Sequence, residues 1–513
     1  MMINFLNIFN EYSRVSMSES QTIKLGARPI ELVDRIPTPE EVFKLSKIGW
    51  KEVAFILMGP AFIAVGDAFG SGEWLMIPVF TVRYGWGMAW AIWLLVLCQA
   101  VYQIMWTRLI VIYGEIPAIF FSRLPGGPRF WSWFIAINHA ARVAWPGWAM
   151  GAATAAAAMI LGRIPGAADA PFVRGIAGVL FFLVLLTLLF GGKVERMLEI
   201  VMKVLTAFIV IALLFIVLPL TIKMDVLREF AVGLVSIGYI PPGVDILLLG
   251  GFVGYVGSAM AHNWYNVVYY RDKGYGMGSV VGYIPSAIGG VKVFVSPIGK
   301  FPKPTPENVA TVKKWMKLVT LDQMLIYFTF CTFAGTVPAL IATSLLPRGT
   351  VLSGWGIAAH VSEAFAKIVG PWGFYLIAFI GLSILFTTQL MLSDNLSRNI
   401  IEILWSTSEG VRKWAKGDIR RLYYTLLVIY IVFAVTIIWS GMEPLLVLLI
   451  SANVPHFMAF WAIPALIYIN EKLLPKEYQS PRWMYVFPII MFVFSAIIFV
   501  GLVLYYGFGI KIF

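Results

Sequence analysis

Two carboxylates, Asp67 and Glu73, flank a break made of Gly70, Ser71 and Gly72 inside an otherwise apolar run. A second apolar run carries its own break, Gly257-Ser258, followed closely by Met260, His262 and Asn263. A carboxylate left unpaired at the centre of a membrane-spanning helix costs roughly 2.5 kcal/mol or more on insertion scales. The basic residues nearest in the chain, Lys51 and Arg83, lie towards the ends of the first run. The economical partner is therefore a bound cation or a proton; the structural alternative makes one carboxylate a cap on the broken helix and sets the other near the interface. On the second run the thioether of Met260 is a soft ligand, the imidazole of His262 is borderline and the carbonyl of Gly257 is hard. Such a mixed set admits Mn2+, Fe2+, Zn2+ or Cd2+, whereas Mg2+ and Ca2+ favour all-oxygen shells. Taken alone, Met260 reads as core filling; its neighbours change that reading.

The elements that position these groups must cross a bilayer. The chain has 513 residues, is 60% hydrophobic and 13% charged, and has a mean hydropathy of +0.83, values that exclude an ordinary soluble globular protein. Runs long enough to cross about 30 Å of hydrocarbon lie near 53–80, 86–112, 130–161, 173–190, 199–221, 244–268, 318–346, 371–393, 422–440, 444–468 and 484–508, about eleven in all. Helix breaks within the first and sixth are tolerated only beside protein or a wet cavity, which predicts a transport pathway between them. If those two spans open equivalent units of five, the odd number inverts one unit against the other. The expected fold is an all-α integral membrane protein of 5+5 inverted repeats plus one helix. Repeat one covers about 49–222, repeat two about 240–470 and the extra helix about 484–508, after a polar tail over 1–48. In that tail Pro37-Thr38-Pro39-Glu40-Glu41 predicts a turn opening a short amphipathic helix along the inner surface. The proline-rich stretch about 271–312 is expected to be the longest inner loop.

A formal charge of +12 suits a nucleic-acid partner, but its placement argues for a lipid bilayer and against nucleic acid. With a cytoplasmic N-terminus, Lys44, Lys47 and Lys51, then Arg123 and Arg129, then Arg271, Lys273, Lys313 and Lys314, then Arg412, Lys413, Arg420 and Arg421 all fall inside. Outer segments carry only scattered single charges such as Arg163, Lys223 and Arg348. This positive-inside pattern predicts a multi-pass protein of the cell membrane with its N-terminus cytoplasmic and its C-terminus outside. The tail has no apolar core followed by a small-residue cleavage site, so a cleaved signal peptide is not expected. Cys98 and Cys331 lie within spans at no metal-binding spacing and read as packing residues.

On these two break motifs the chain resembles the Nramp divalent metal transporters, a family with the LeuT-type fold and discontinuous helices 1 and 6. The family's first broken helix carries Gly-Pro…Asp-Pro-Gly-Asn-Trp and its sixth Ala-x-x-Met-Pro-His-Asn-Leu-Tyr. Here stand Gly59-Pro60…Gly70-Ser71-Gly72-Glu73-Trp74 and Gly257-Ser258-Ala259-Met260-Ala261-His262-Asn263-Trp264-Tyr265, within a likeness spanning about residues 50–510. The resemblance implies secondary-active transport of Mn2+- or Fe2+-like cations by alternating access around a midplane site, with the divalent ion as substrate and no cofactor. Position by position it implies Met260 as thioether ligand, Gly257 as carbonyl ligand, and His262 behind the ligands or on a proton path, with Asn263 and His139 nearby. The first motif departs from the family. Gly70 stands where the family has its metal-binding Asp, and Glu73 where it has Asn, so a carboxylate has moved; Asp67, one turn earlier, also reaches this region. The expected metal set is Glu73, Met260, Gly257, Gly70 and Asp67. In the tenth span the family's site glutamine falls at Val447, near Asn453 and Pro455. The family's acidic third-span residues are replaced by Asn138, His139, Arg142 and Trp145-Pro146, and a fixed positive charge repels a proton pathway. Protons as a partner are thus an expectation from the resemblance alone.

Two alternatives keep the fold and change the cargo: an amino acid or other small solute, or a harder cation such as Mg2+. Met260-Ala261-His262-Asn263 argues against the first and Met260 resists the second. An enzyme is not expected. The chain has 4 histidines, His139, His262, His360 and His456, with no His-Glu-x-x-His and no cysteine pair. Asp394 and Arg398, at i and i+4, predict an ion pair at the inner interface.

Overall fold

Among the described residues of the computed structural model, 10 helices are long and apolar enough to cross a membrane. Those residues are 22–54, 58–70, 72–350, 354–442 and 444–511, so Ser71 of the predicted first break lies outside them. The second to sixth spans are Ala89–Tyr113, Gly127–Leu161, Ala167–Leu189, Val194–Thr221 and Ile246–Lys273. The seventh to eleventh are Pro306–Leu345, Pro371–Thr407, Ile419–Trp439, Val447–Leu473 and Arg482–Phe508. The interrupted first span, Pro60–Ala68 followed by Gly72–Met76 and Ile77–Tyr84, falls short of the length of one unbroken helix and completes the set. The second and sixth spans bury 89% of their most apolar stretch inside the protein, whereas the fourth, ninth and eleventh bury 28% and turn their remaining apolar surface outward, as lipid-facing helices do. The seventh span starts earlier than its apolar run, at Pro306, because Thr305 caps it by accepting from the Asn308 amide at 3.3 Å.

The third span is interrupted at Pro146, between Gly127–Val143 and Gly147–Leu161. A proline has no N–H and its ring clashes with the carbonyl four residues back, here that of Arg142. Neighbouring spans satisfy both freed ends. Ser451 Oγ donates to the Arg142 carbonyl at 2.7 Å, and the Ala149 amide donates to Gln389 Oε1 at 3.1 Å.

The polar N-terminal segment adds a small sheet to the helical body. β1 (Thr22–Leu25) pairs antiparallel with β2 (Arg28–Val33), which pairs in parallel with β3 (Lys300–Pro302) from the loop before the seventh span. Arg28 is buried and donates to Ser122 Oγ at 3.1 Å and to the Pro297 and Ser406 carbonyls at 3.0 Å. Burial pulls its guanidinium down to about 10, which leaves it charged at neutral pH. The predicted short helix forms over Pro39–Phe43 with a Thr38/Glu41 capping box. Its apolar face meets protein rather than a membrane surface: the Phe43 ring packs against Tyr275 and Trp315 with centroids 6.1 and 6.0 Å apart.

Candidate functional site

The first span leaves its helix at Phe69, and the eighth span closes the gap. Thr388 Oγ1 donates to the Phe69 carbonyl at 2.9 Å and lies 3.3 Å from that of Gly66. In the sixth span the helix Ile246–Tyr255 ends at Val256. The chain then passes through left-handed conformations at Gly257 (φ 77°), Ala259 (φ 55°) and Met260 (φ 44°) before a 3-10 turn over Met260–Val267. Gln99 of the second span holds this unwound stretch. Its Oε1 accepts from the Ser258 amide at 2.8 Å and from Asn263 Nδ2 and the Tyr327 hydroxyl at 3.2 Å, and its Nε2 donates to the Val256 carbonyl at 2.6 Å. The two breaks touch. A Cβ added at Gly72 would lie 2.2 Å from Cβ of Tyr255, so only glycine permits the approach. Gly72→Ala is expected to cost about 1–3 kcal/mol as overpacking, read as a lowered melting midpoint in detergent.

Where the breaks meet, Asp67, Gly70, Gly72, Glu73, Arg142, Trp148, Tyr255, Gly257, Ser258, Ala259 and Thr388 line a cavity with about 10 Å³ for the centre of a water-sized sphere. That is about the room one water molecule or ion needs. Asp67 and Glu73 are 5% and 2% exposed. Asp67 Oδ2 accepts from the Tyr265 hydroxyl at 2.5 Å, from Ser258 Oγ in a short hydrogen bond and from Asn266 Nδ2 at 3.5 Å. Its Oδ1 has no protein partner, and neither has Glu73 Oε1. The Gly70 and Gly257 backbone lies against the Glu73 carboxyl. Arg142, also in the wall, donates from Nη1 to the Tyr265 hydroxyl at 2.8 Å.

The structure brings together four of the five expected metal residues, Asp67, Gly70, Glu73 and Gly257. Met260 is fully buried but not in the cavity wall; its sulfur accepts from Gln99 Nε2 at 3.7 Å. Of the expected break residues, Gly70, Gly72, Gly257 and Ser258 all line the cavity. Gly70 also has little room for a side chain, since its Cβ would meet the Asp67 carbonyl at 2.9 Å and Thr388 Oγ1 at 3.0 Å. Val447 is buried and lies outside the wall.

Behind the cavity His139 Nδ1 and His262 Nε2 are 3.0 Å apart, and His139 Nε2 lies 3.2 Å from the Asn395 carbonyl. A carbonyl only accepts, so His139 carries its proton on Nε2, His262 donates from Nε2, and His262 Nδ1 keeps a buried lone pair without a partner. Asn263 faces Gln99. Among the described residues no three His, Cys, Asp or Glu side chains converge to hold a metal, so the donors here are two carboxylates and neutral oxygens. Sequence reading did not assign Gln99, Thr388, Tyr265 or Arg142 to the site. A glutamine within the apolar stretch of the second span was the available signal for Gln99.

A bundle with 10 membrane-length helices among the described residues, whose interrupted first and sixth spans meet at a buried polar cavity, has the LeuT-type fold. It is similar to a manganese transporter of Eremococcus coleocola, with a TM-score of 0.61 and 13% identity over 94% of this chain and 92% of that one. A complex of that transporter with an aromatic bis-isothiourea substituted compound also gives a TM-score of 0.61 at 13% identity, over 92% of this chain and 93% of that one. A nucleobase-cation-symport-1 family transporter, closed with bromovinylhydantoin bound, gives 0.51 at 14% identity over 86% and 90%. No protein-family model matches the chain, and no curated protein matches it in sequence.

Proposed function

We propose that the chain is a divergent Nramp relative that carries a divalent cation across the cell membrane, by secondary-active alternating access around the cavity between its first and sixth spans. The observation that carries this reading is the pair of buried carboxylates, Asp67 and Glu73, each with an unpartnered oxygen, at a cavity the size of one ion. Unpaired anionic oxygens in a low-dielectric interior are expensive, and a cation relieves that cost. Mn2+ suits carboxylate, carbonyl and water oxygens, and manganese is the cargo named for the structural neighbour. The ion is substrate, with no cofactor. The N-terminus faces the cytoplasm on the charge pattern, and the C-terminus the outside.

A second reading, Mg2+ as cargo, draws on one observation: the wall offers only oxygen donors, while the Met260 sulfur is engaged by Gln99. Uptake into proteoliposomes separates the readings, using Mn2+, Mg2+ and an amino-acid panel with Glu73→Gln and Met260→Ala variants. Saturable Mn2+ uptake is expected, reduced at least about tenfold in Glu73→Gln, equivalent to about 1.4 kcal/mol. Mg2+ uptake as strong as Mn2+ uptake, indifferent to Met260→Ala, supports the second reading. Amino-acid uptake with no metal uptake overturns both.

A further inference from the structure

We propose that Arg142 is a tethered countercharge for the empty cavity, which lets the unloaded carrier reorient without carrying a proton; this rests on the cation reading of the same cavity. Among the described residues Arg142 is the one basic side chain in the cavity wall. It is 2% exposed, and its guanidinium carbon lies 5.8 Å from the Trp148 ring centre and 5.3 Å from that of Tyr265. Its charge reaches Asp67 through one phenol: Arg142 Nη1 donates to the Tyr265 hydroxyl at 2.8 Å, and that hydroxyl donates to Asp67 Oδ2 at 2.5 Å. Its Nε has no partner, so the side chain is held by the relay and the two rings rather than by a full set of hydrogen bonds. An arginine stays charged at any physiological pH, so this compensation needs no titration.

The charge count explains the consequence. Counted with both carboxylates ionised, Asp67 and Glu73 of the cavity wall contribute −2 and Arg142 +1, which gives −1 for the empty cavity and +1 for the dication-loaded one. Without Arg142 the same states carry −2 and 0. Two buried carboxylates with no countercharge cost more than two that share one, so the empty state is the more expensive without Arg142. The arginine thus evens out the two halves of the cycle: it weakens the hold on the cargo and spares the empty carrier the larger penalty. A carrier lacking it would hold its ion tightly and return empty slowly, unless protons neutralised the carboxylates on the way back.

The test compares net uptake with exchange in proteoliposomes of the full chain, using Mn2+ and Mg2+ as probes and a pH-sensitive dye inside the vesicles. Wild-type protein is expected to take up metal with no metal-dependent proton influx. In Arg142→Gln, net uptake is expected to fall at least about tenfold more than metal-for-metal exchange, which needs no empty return, and Arg142→Lys is expected to recover part of it. A merely structural arginine would lower both rates together. Equal loss of uptake and exchange in a folded Arg142→Gln protein overturns the proposal, as does proton influx in step with metal in the wild type. Should the glutamine variant fail to fold, the wild-type dye measurement can still overturn the proposal, and Arg142→Lys still compares net uptake with exchange. Wild-type protein that neither takes up nor exchanges either metal takes the cation reading down first, and this inference with it.

Discussion

Arg398→Met is expected to destabilise the protein by about 3–5 kcal/mol, the usual cost of removing one partner of a buried ion pair. Arg398, on the eighth span, is fully buried and holds two acids at once. Its Nε donates to Asp394 Oδ2 at 2.9 Å, its Nη2 to Asp394 Oδ1 at 3.1 Å, and its Nη1 makes a short contact with Asp272 at the end of the sixth span. Arg271 continues the chain, donating from Nη2 to Asp272 Oδ1 at 2.5 Å and to Glu402 Oε1 at 2.6 Å. Tyr269 and Tyr423 donate their hydroxyls to Asp394, the former at 2.8 Å. Three carboxylates against two guanidinium groups leave a formal −1, and removing Arg398 raises it to −2 in a site that water does not reach. The melting midpoint in detergent reads the loss. The double variant Arg398→Met, Asp394→Leu restores the −1 count and is expected to melt above the single variant, a non-additivity that neighbouring charges produce. A single variant melting with the wild type would show that the network contributes nothing.

The same network shows how far the sequence reading reached. The i,i+4 spacing of Asp394 and Arg398 was enough to predict their pairing, because a helix fixes which of its own side chains are neighbours. It could not predict that Arg271 and Asp272 of the sixth span would join them, with Glu402 further along the eighth, and draw the pair from the interface into the interior. The fold was legible for a related reason: eleven apolar runs and two glycine breaks are local features, and a bilayer leaves few ways to arrange them. Asp67 and Glu73 were legible as expensive charges in the wrong solvent. The pairing of β2 with β3 was not, since strands this short and this far apart in the chain carry no local mark of each other. Nor was the placement of Arg142, which stands just before the helix interruption at Pro146 and whose carbonyl is held by Ser451 from the tenth span. The direction of the Met260 side chain likewise follows from the left-handed turn at Ala259 and Met260 and from the amide of Gln99, neither of which its flanking residues announce.

Gln99→Leu is expected to remove transport, by at least about tenfold in uptake, while keeping the side-chain volume. The amide of Gln99 serves the sixth-span break in both senses, accepting from the Ser258 N–H and donating to the Val256 carbonyl. A leucine there leaves that N–H and that carbonyl buried without partners, at about 1–3 kcal/mol each. Part of this is recovered only if the segment refolds towards helix, which would withdraw Gly257 and Ser258 from the cavity they line. Either outcome spoils the site: the unwound stretch stays strained, or it closes. Gln99→Glu separates the effects of shape and charge. It preserves the acceptor for Ser258 but loses the donor to Val256, and adds a third carboxylate within reach of Gly257, where an added Cβ would lie 2.8 Å from Gln99 Nε2. Uptake is expected to fall in both variants, with tighter cation binding in Gln99→Glu alone, read by metal titration of the purified protein. Wild-type uptake in Gln99→Leu would mean that the sixth-span break holds its shape without this contact, and that the geometry of the cavity is set from the first span alone.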